Sequence, residues 1–177
     1  MRINLYAGPG AGKSTLASWL FAELKLRGYS IELVSEYVKS WAIEKRKIHP
    51  FHQVYFMGRQ LEYEYRFLTN GVRNIVTDSP VFLAATYARL YNPHLLEVAN
   101  QMESIISTYE KKHPSVNIFL RRGDYYQQEG RFHDRKASEQ IDLAILSTLV
   151  ANGVDFIEFE TDRRQDILEH VLKFIVK

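Results

Sequence analysis

The sequence contains no cysteine, which excludes disulfides and thiolate metal sites and suits a reducing compartment. It has no apolar run near the roughly 20 residues that a membrane-spanning helix needs. No repeat, low-complexity tract or linker interrupts it. Charge of one sign is also missing: 23 Lys plus Arg stand against 21 Asp plus Glu, and a net charge of +2 is too small to diagnose a nucleic-acid partner. The N-terminus enters an apolar strand at once, so no signal peptide is expected and a cytoplasmic location is. What remains is 177 residues with 46% hydrophobic content, enough for one domain, 1–177, with a single sizeable core.

The apolar segments alternate between short strand-like runs and helical periodicity, the pattern of a parallel sheet covered on both faces. Strands are expected at Ile3–Tyr6, Ile31–Ser35, Asn74–Thr77, Val116–Leu120 and Val154–Phe159. Helices are expected after Lys13, around Tyr37–Lys47, over Phe51–Leu68, from Pro80 to Leu90, from Pro93 to Lys111, over Lys136–Ala151, and after Asp162. The fold class is α/β, a three-layer α/β/α arrangement on a five-stranded parallel sheet.

The most specific stretch follows the first strand: Ala7-Gly8-Pro9-Gly10-Ala11-Gly12-Lys13-Ser14-Thr15. Strand, Gly-rich loop and helix in that order are the context of a P-loop, so the fold is of P-loop NTPase type. Successive backbone N–H groups and a helix N-terminus converge there on a phosphate. Lys13 reaches the β- and γ-phosphates, and the Ser14 hydroxyl binds Mg²⁺. ATP and Mg²⁺ are the expected cofactors. The first position of the pattern is Ala7 in place of the usual Gly.

Ligands of such sheets bind beyond the carboxyl ends of the strands. Glu36 follows the second strand, Asp78 the third, Arg121 and Arg122 the fourth, and Glu160 and Thr161 the fifth. Asp78 is placed to hold Mg²⁺ or to accept a proton, or else to cap the helix opening at Pro80. Glu36 is placed to orient or deprotonate an acceptor hydroxyl, or else to sit solvated in a first helical turn. The polar segment of about 121–134 reads as a short lid. Arg131 beside Gly130, with Arg121 or Arg122, is placed to stabilise a transferring phosphoryl group; an exposed loop with surface arginines is the alternative. On the helix from Phe51, the residues Phe51, Gln53, Tyr55 and Arg59 offer amide and aromatic groups for a nucleobase, or form an ordinary amphipathic face. His49 and His52 read as solvated. Thr161 and Arg163 either lie against the adenine of ATP or cap the last helix.

Together these residues resemble the P-loop nucleoside and nucleotide kinases over nearly the whole chain. Ser35-Glu36-Tyr37, Gln53 and Thr77-Asp78-Ser79 are similar to the ribosylnicotinamide-kinase-like group. The plan also resembles the deoxynucleoside kinases and thymidylate kinase. The resemblance to deoxynucleoside kinases implies that Glu36 serves the acceptor hydroxyl and that Gln53 reads the base. Their Asp-Arg-Ser after the third strand is Asp78-Ser79-Pro80 here, so the Arg is missing. The compact chain is also similar to small phage kinases, including DNA kinases that phosphorylate 5-hydroxymethyluracil in phage DNA during thymidine hypermodification. For such a protein the location would be the host cytoplasm. The expected activity is transfer of the γ-phosphoryl group of ATP to a nucleoside-like acceptor, free or within DNA. A non-kinase NTPase that couples hydrolysis to a partner is the rival.

Overall fold

The computed structural model describes residues 1–123 and 134–177. Five parallel strands, β1 Arg2–Tyr6, β2 Ile31–Val34, β3 Asn74–Thr77, β4 Ser115–Arg121 and β5 Ile157–Glu160, form one sheet in the order β2-β3-β1-β4-β5. Strand β1 is central. It pairs with β3 from Arg2↔Ile75 to Asn4↔Thr77 and with β4 from Arg2↔Ser115 to Tyr6↔Phe119. The chain therefore leaves β1 where the strand order reverses, the place at which a crevice opens in this class of sheet.

The helices are α1 Lys13–Leu26, α2 Val38–Ile43, α3 His52–Thr69, α4 Phe82–Tyr91, α5 Leu96–Lys112, α6 Arg135–Ala151 and α7 Arg164–Leu172. Alternation along the strands decides which side each helix covers. Ile3, Leu5, Ile118 and Leu120 face one side, where Leu16, Leu20 and Leu24 of α1 and Ile167, Leu168 and Val171 of α7 pack on them. Tyr6 and Phe119 face the other, against Met57 of α3, Phe82 of α4, Met102 and Ile106 of α5, and Ile141 and Ile145 of α6. The expected three-layer fold is thus the fold observed.

Behind Tyr6, two polar residues of β1 share its side and are fully buried, Arg2 and Asn4. Arg2 pairs with Glu64 of α3 and Glu110 of α5, each at 2.7 Å, and Asn4 donates to Asn117 Oδ1 at 2.9 Å. Burial works against the Arg2 charge, yet the two carboxylates outweigh it and its pKa is raised. This network sits at the end of the sheet where β1 begins, far along the strand from the Gly-rich loop, and fixes how α3 and α5 seat on the sheet.

Two of the shifted boundaries have a visible cause. Strand β5 begins at Ile157 instead of Val154, because the turn closing α6 takes that amide: Val154 N–H donates to Leu149 O at 3.0 Å and Gly153 N–H to Val150 O at 3.1 Å. Helix α2 ends at Ile43, not Lys47, because Lys45 turns into the left-handed region at φ 53°. The turn is closed by Lys45 N–H on Ala42 O and Arg46 N–H on Trp41 O.

Candidate active site

The loop from Ala7 to Gly12 joins β1 to α1 at the crevice. Gly10 and Gly12 take φ of 80° and 84°, a conformation that residues with a Cβ rarely adopt. Gly12 is the N-cap of α1, so Lys13 and Ser14 open the helix with the positive end of its dipole. Lys13 Nζ lies folded over the loop, donating to Ala7 O at 2.7 Å and Gly8 O at 3.0 Å.

Beyond the loop lies a cavity of about 710 Å³. Pro9, Gly10, Gly12, Lys13 and Ser14 line one end. Glu36, Tyr37, Gln53, Phe56 and Gln60 form a second wall, and Leu83, Ala84, Tyr87 and Tyr91 of α4 a third. The short loop between β2 and α2 positions Glu36, and Asp78 holds that loop: its Oδ1 accepts the Glu36 amide at 2.9 Å. Asp78 is 4% exposed, and among the described residues its Oδ2 takes no hydrogen bond. Ser79 N–H donates to Thr77 Oγ1 at 3.1 Å, and α4, with Val81 at its N-cap, has no side-chain cap, so Asp78 does not serve as one. Gln53, also nearly buried, reaches the cavity from the first turn of α3. Gln60, about two turns further along the same face of α3, is committed to Thr77 Oγ1 and Glu64 Oε1 and serves as a rigid part of the wall.

The other residues expected at the site fall into separate places. Phe51 is 63% exposed and stands outside the cavity lining, as do Tyr55 and Arg59. Tyr55 shares a hydrogen bond of 2.8 Å with Tyr37, and the Arg59 guanidinium lies 5.4 Å from the Tyr37 ring. These two therefore support Tyr37, which does line the cavity. His49 lines it as well, while its backbone N–H is taken by His52 Nδ1. Thr161 packs on the loop: its Oγ1 donates to Arg121 O at 2.8 Å, and Ala11 O is 3.2 Å away. A Cβ added to Gly12 would lie 2.9 Å from Thr161 Cγ2. Arg163 is exposed near Asp166 of α7, and Thr15 is the exposed residue in the first turn of α1. Ala11 is buried in the loop, Gly8 against α6.

Arg121 and Arg122 part company. Arg121 turns to Glu158 on the neighbouring strand, with 56% of its side chain exposed. Arg122 turns inward to Asp142 and the loop, with its side chain 6% exposed. Arg131, Gly130 and the body of the expected lid, 124–133, lie outside the described residues.

Some of the lining carries no sequence motif. The α4 wall follows a periodicity that reads equally as core, and Lys39, Arg46 and Lys47, which also face the cavity, lie in a stretch that reads as an ordinary charged helix. Asp142 occupies an unremarkable position in an amphipathic helix. Its partners stand 20 and 134 residues away in the chain. Ser14 and Asp78 offer hard oxygen donors of the kind Mg²⁺ takes with phosphates. Among the described residues, none of the larger His, Cys, Asp or Glu groupings that would hold a metal without a nucleotide is present. No helix of the described residues is long and apolar enough to cross a membrane.

Solved structures share this architecture. The NadR protein in complex with NR superposes with a TM-score of 0.76 at 14% identity, over 99% of this chain and 52% of its own. This chain thus spans about half of that protein. Deoxyadenosine kinase from M. mycoides, bound to dCMP and a flexible dCDP, superposes with a TM-score of 0.62 at 16% identity, over 98% of this chain and 97% of its own. At these identities the likeness is one of fold, the α/β P-loop fold expected from the sequence. No curated protein matches the chain. The model of the AAA domain family matches residues 2–166, almost the entire length, and the chain belongs to that family of P-loop proteins.

Proposed function

We propose that the protein is an ATP- and Mg²⁺-dependent phosphotransferase that moves the γ-phosphoryl group to a hydroxyl of a nucleoside-like acceptor. One observation carries this reading: the Gly-rich loop and the Glu36–Gln53 wall line the same cavity. A donor site and an acceptor-sized space are continuous, so two substrates can meet with little water between them. A pure hydrolase needs room only for a water molecule.

In the proposed reaction the acceptor oxygen forms a bond to the γ-phosphorus as the bond to the bridging β,γ-oxygen breaks. ADP leaves with that electron pair, and the acceptor proton passes to the Glu36 carboxylate. Lys13 and the N–H groups of the loop hold the triphosphate. Ser14 and Asp78 would hold Mg²⁺, which neutralises phosphate charge when bound. Gln53 meets the base edge while Phe56 and Tyr37 offer ring faces. Thr161 and Arg163 stand on the adenine side of the loop. Of the arginines expected to meet the phosphoryl group, Arg121 and Arg122 are engaged elsewhere, and that role falls to Arg131.

A second reading concerns the acceptor. Lys39, Arg46 and Lys47 line the cavity, where Glu36 is the only acidic group among the described residues. Neither Lys39 nor Lys47 has a carboxylate partner among the described residues, while Arg46 pairs with Glu44 and lies 5.1 Å from the Trp41 ring. These cations, with the half-buried Trp41 ring beside Arg46, favour an acceptor that carries phosphate, including a hydroxymethylated pyrimidine within DNA. The test is transfer of label from γ-labelled ATP to free nucleosides, nucleoside monophosphates and hydroxymethyluracil oligonucleotides. A strand acceptor should also show salt-sensitive binding through counterion release. Label confined to the free nucleosides removes the second reading, and label confined to inorganic phosphate removes both.

A further inference from the structure

Asp142 lies on α6, outside the cavity, and meets the Gly-rich loop from behind. Its Oδ1 accepts the Gly8 amide, and its Oδ2 accepts Arg122 Nε at 2.9 Å and Nη2 at 2.8 Å. The same guanidinium donates from Nη1 to Pro9 O at 2.7 Å. The pair is largely buried, with side chains 6% and 15% exposed. Contact is so close that a Cβ at Gly8 would lie 2.5 Å from Ser138 O and 3.0 Å from Asp142 Oδ1.

The consequence follows from the planarity of the peptide bond, which points each N–H opposite to the C=O of its unit. The Ala7–Gly8 unit gives its N–H to Asp142 on one side. On the other, its carbonyl receives Lys13 Nζ at 2.7 Å. The Pro9–Gly10 unit gives its carbonyl to Arg122, which directs the Gly10 N–H the opposite way, and Gly10 lines the cavity. An anion site needs carbonyls turned out and amides turned in. The ion pair holds the Pro9–Gly10 unit in that sense and the Ala7–Gly8 unit in the opposite one, and through the latter it sets the carbonyl that receives Lys13.

We propose that Asp142, together with Arg122, is a positioning residue for the triphosphate: it fixes the orientation of the loop peptides and so sets ATP affinity without touching the nucleotide. The inference rests on the nucleotide-binding half of the reading above and not on the identity of the acceptor.

The test is ATP affinity measured by calorimetry on the intact chain with no acceptor present, so a failed kinase assay does not affect it. Asp142→Ala removes both contacts. Asp142→Asn keeps an acceptor for the Gly8 amide but loses the charge that binds Arg122. We expect Asp142→Ala to weaken ATP binding at least fivefold in folded protein, with Asp142→Asn between it and the parent. In the double variant Arg122→Met/Asp142→Ala, the loss should be no greater than about that of Asp142→Ala alone, because one unit is broken either way. With an acceptor supplied, KM for ATP should rise while KM for the acceptor stays within twofold. A merely structural role would lower the melting temperature and leave the affinity of the folded fraction intact. A loss of less than fivefold in folded Asp142→Ala overturns the proposal. Should that variant not fold, an unchanged affinity in both Asp142→Asn and Arg122→Lys overturns it equally, and a weakened one supports it.

Discussion

The Asp78 carboxylate accepts the backbone amide of Glu36 at 2.9 Å, tying the end of β3 to the loop after β2. Two groups expected to act on different substrates are thus held by one bond. This separates the two roles of Asp78 experimentally. Asp78→Asn preserves an acceptor for the amide but removes the charge. Asp78→Ala removes both. We expect the Asn variant to lose turnover about 10²-fold or more while keeping acceptor KM, since charge stabilisation at one site is worth several kcal/mol. The Ala variant should raise acceptor KM as well. Steady-state kinetics in both substrates decides the matter.

Lys13→Ala should abolish turnover and weaken ATP binding by an order of magnitude or more, because in the proposed reaction Nζ is the cation that meets the β- and γ-phosphates. Calorimetric titration with ATP and a coupled ADP assay read the two effects.

Glu36→Gln keeps the size and the backbone anchor but cannot take a proton. A general base contributes about 10²–10⁴-fold. We expect a fall in turnover of that order, with ATP affinity within twofold of the parent. Unchanged turnover in the Gln variant would remove Glu36 from the role of base.

Much of the site's framework is legible in the sequence because it rests on local chemistry. The spacing from Gly8 to Ser14 marks the phosphate loop, and the residues just after the strands include Glu36, which lines the cavity, and Asp78, which holds the Glu36 amide. What depends on distant packing is not legible. No pattern along α6 distinguishes Asp142 from the solvated residues of that helix, since its partners come from the segment just after β4 and from the loop after β1. Tyr55 and Arg59 carry the right chemistry for a base but face Tyr37, because α3 presents Gln53 and Phe56 to the cavity in their stead. The end of α2 at Ile43 is similarly hidden, as Lys45 is a good helix former and only the turn geometry there stops the helix.

The buried pair Arg2–Glu64 belongs to the frame and not to the site. Glu64→Ala leaves the guanidinium with Glu110 as its remaining carboxylate in a fully buried position. A loss of about 3–5 kcal/mol is expected from breaking one side of such a pair. Urea denaturation should show it, with ATP affinity of the folded protein unchanged.

Two histidines make stability depend on pH. Burial, then Lys112 and Arg2, holds the His113 pKa below its usual value. Burial, then Lys173, does the same for His170, whose ring lies 5.8 Å from Phe159. A depressed pKa means that the folded state favours the neutral ring. The contribution is therefore complete above the unfolded value of about 6.5 and is lost as pH falls through the lower folded values. We expect the denaturation midpoint to drop as pH falls below about 6.5, and His113→Asn combined with His170→Asn to flatten that part of the drop.

Continuity of donor and acceptor in one cavity is tested most directly by following the γ-phosphoryl group itself. Purified protein is incubated with γ-labelled ATP, Mg²⁺ and the nucleoside, monophosphate and oligonucleotide acceptors, and the products are separated. Transfer predicts label on an acceptor, in amounts matching the ADP formed, and its loss in Glu36→Gln. Label recovered only as inorganic phosphate, at a rate indifferent to every acceptor and to Glu36→Gln, would contradict it.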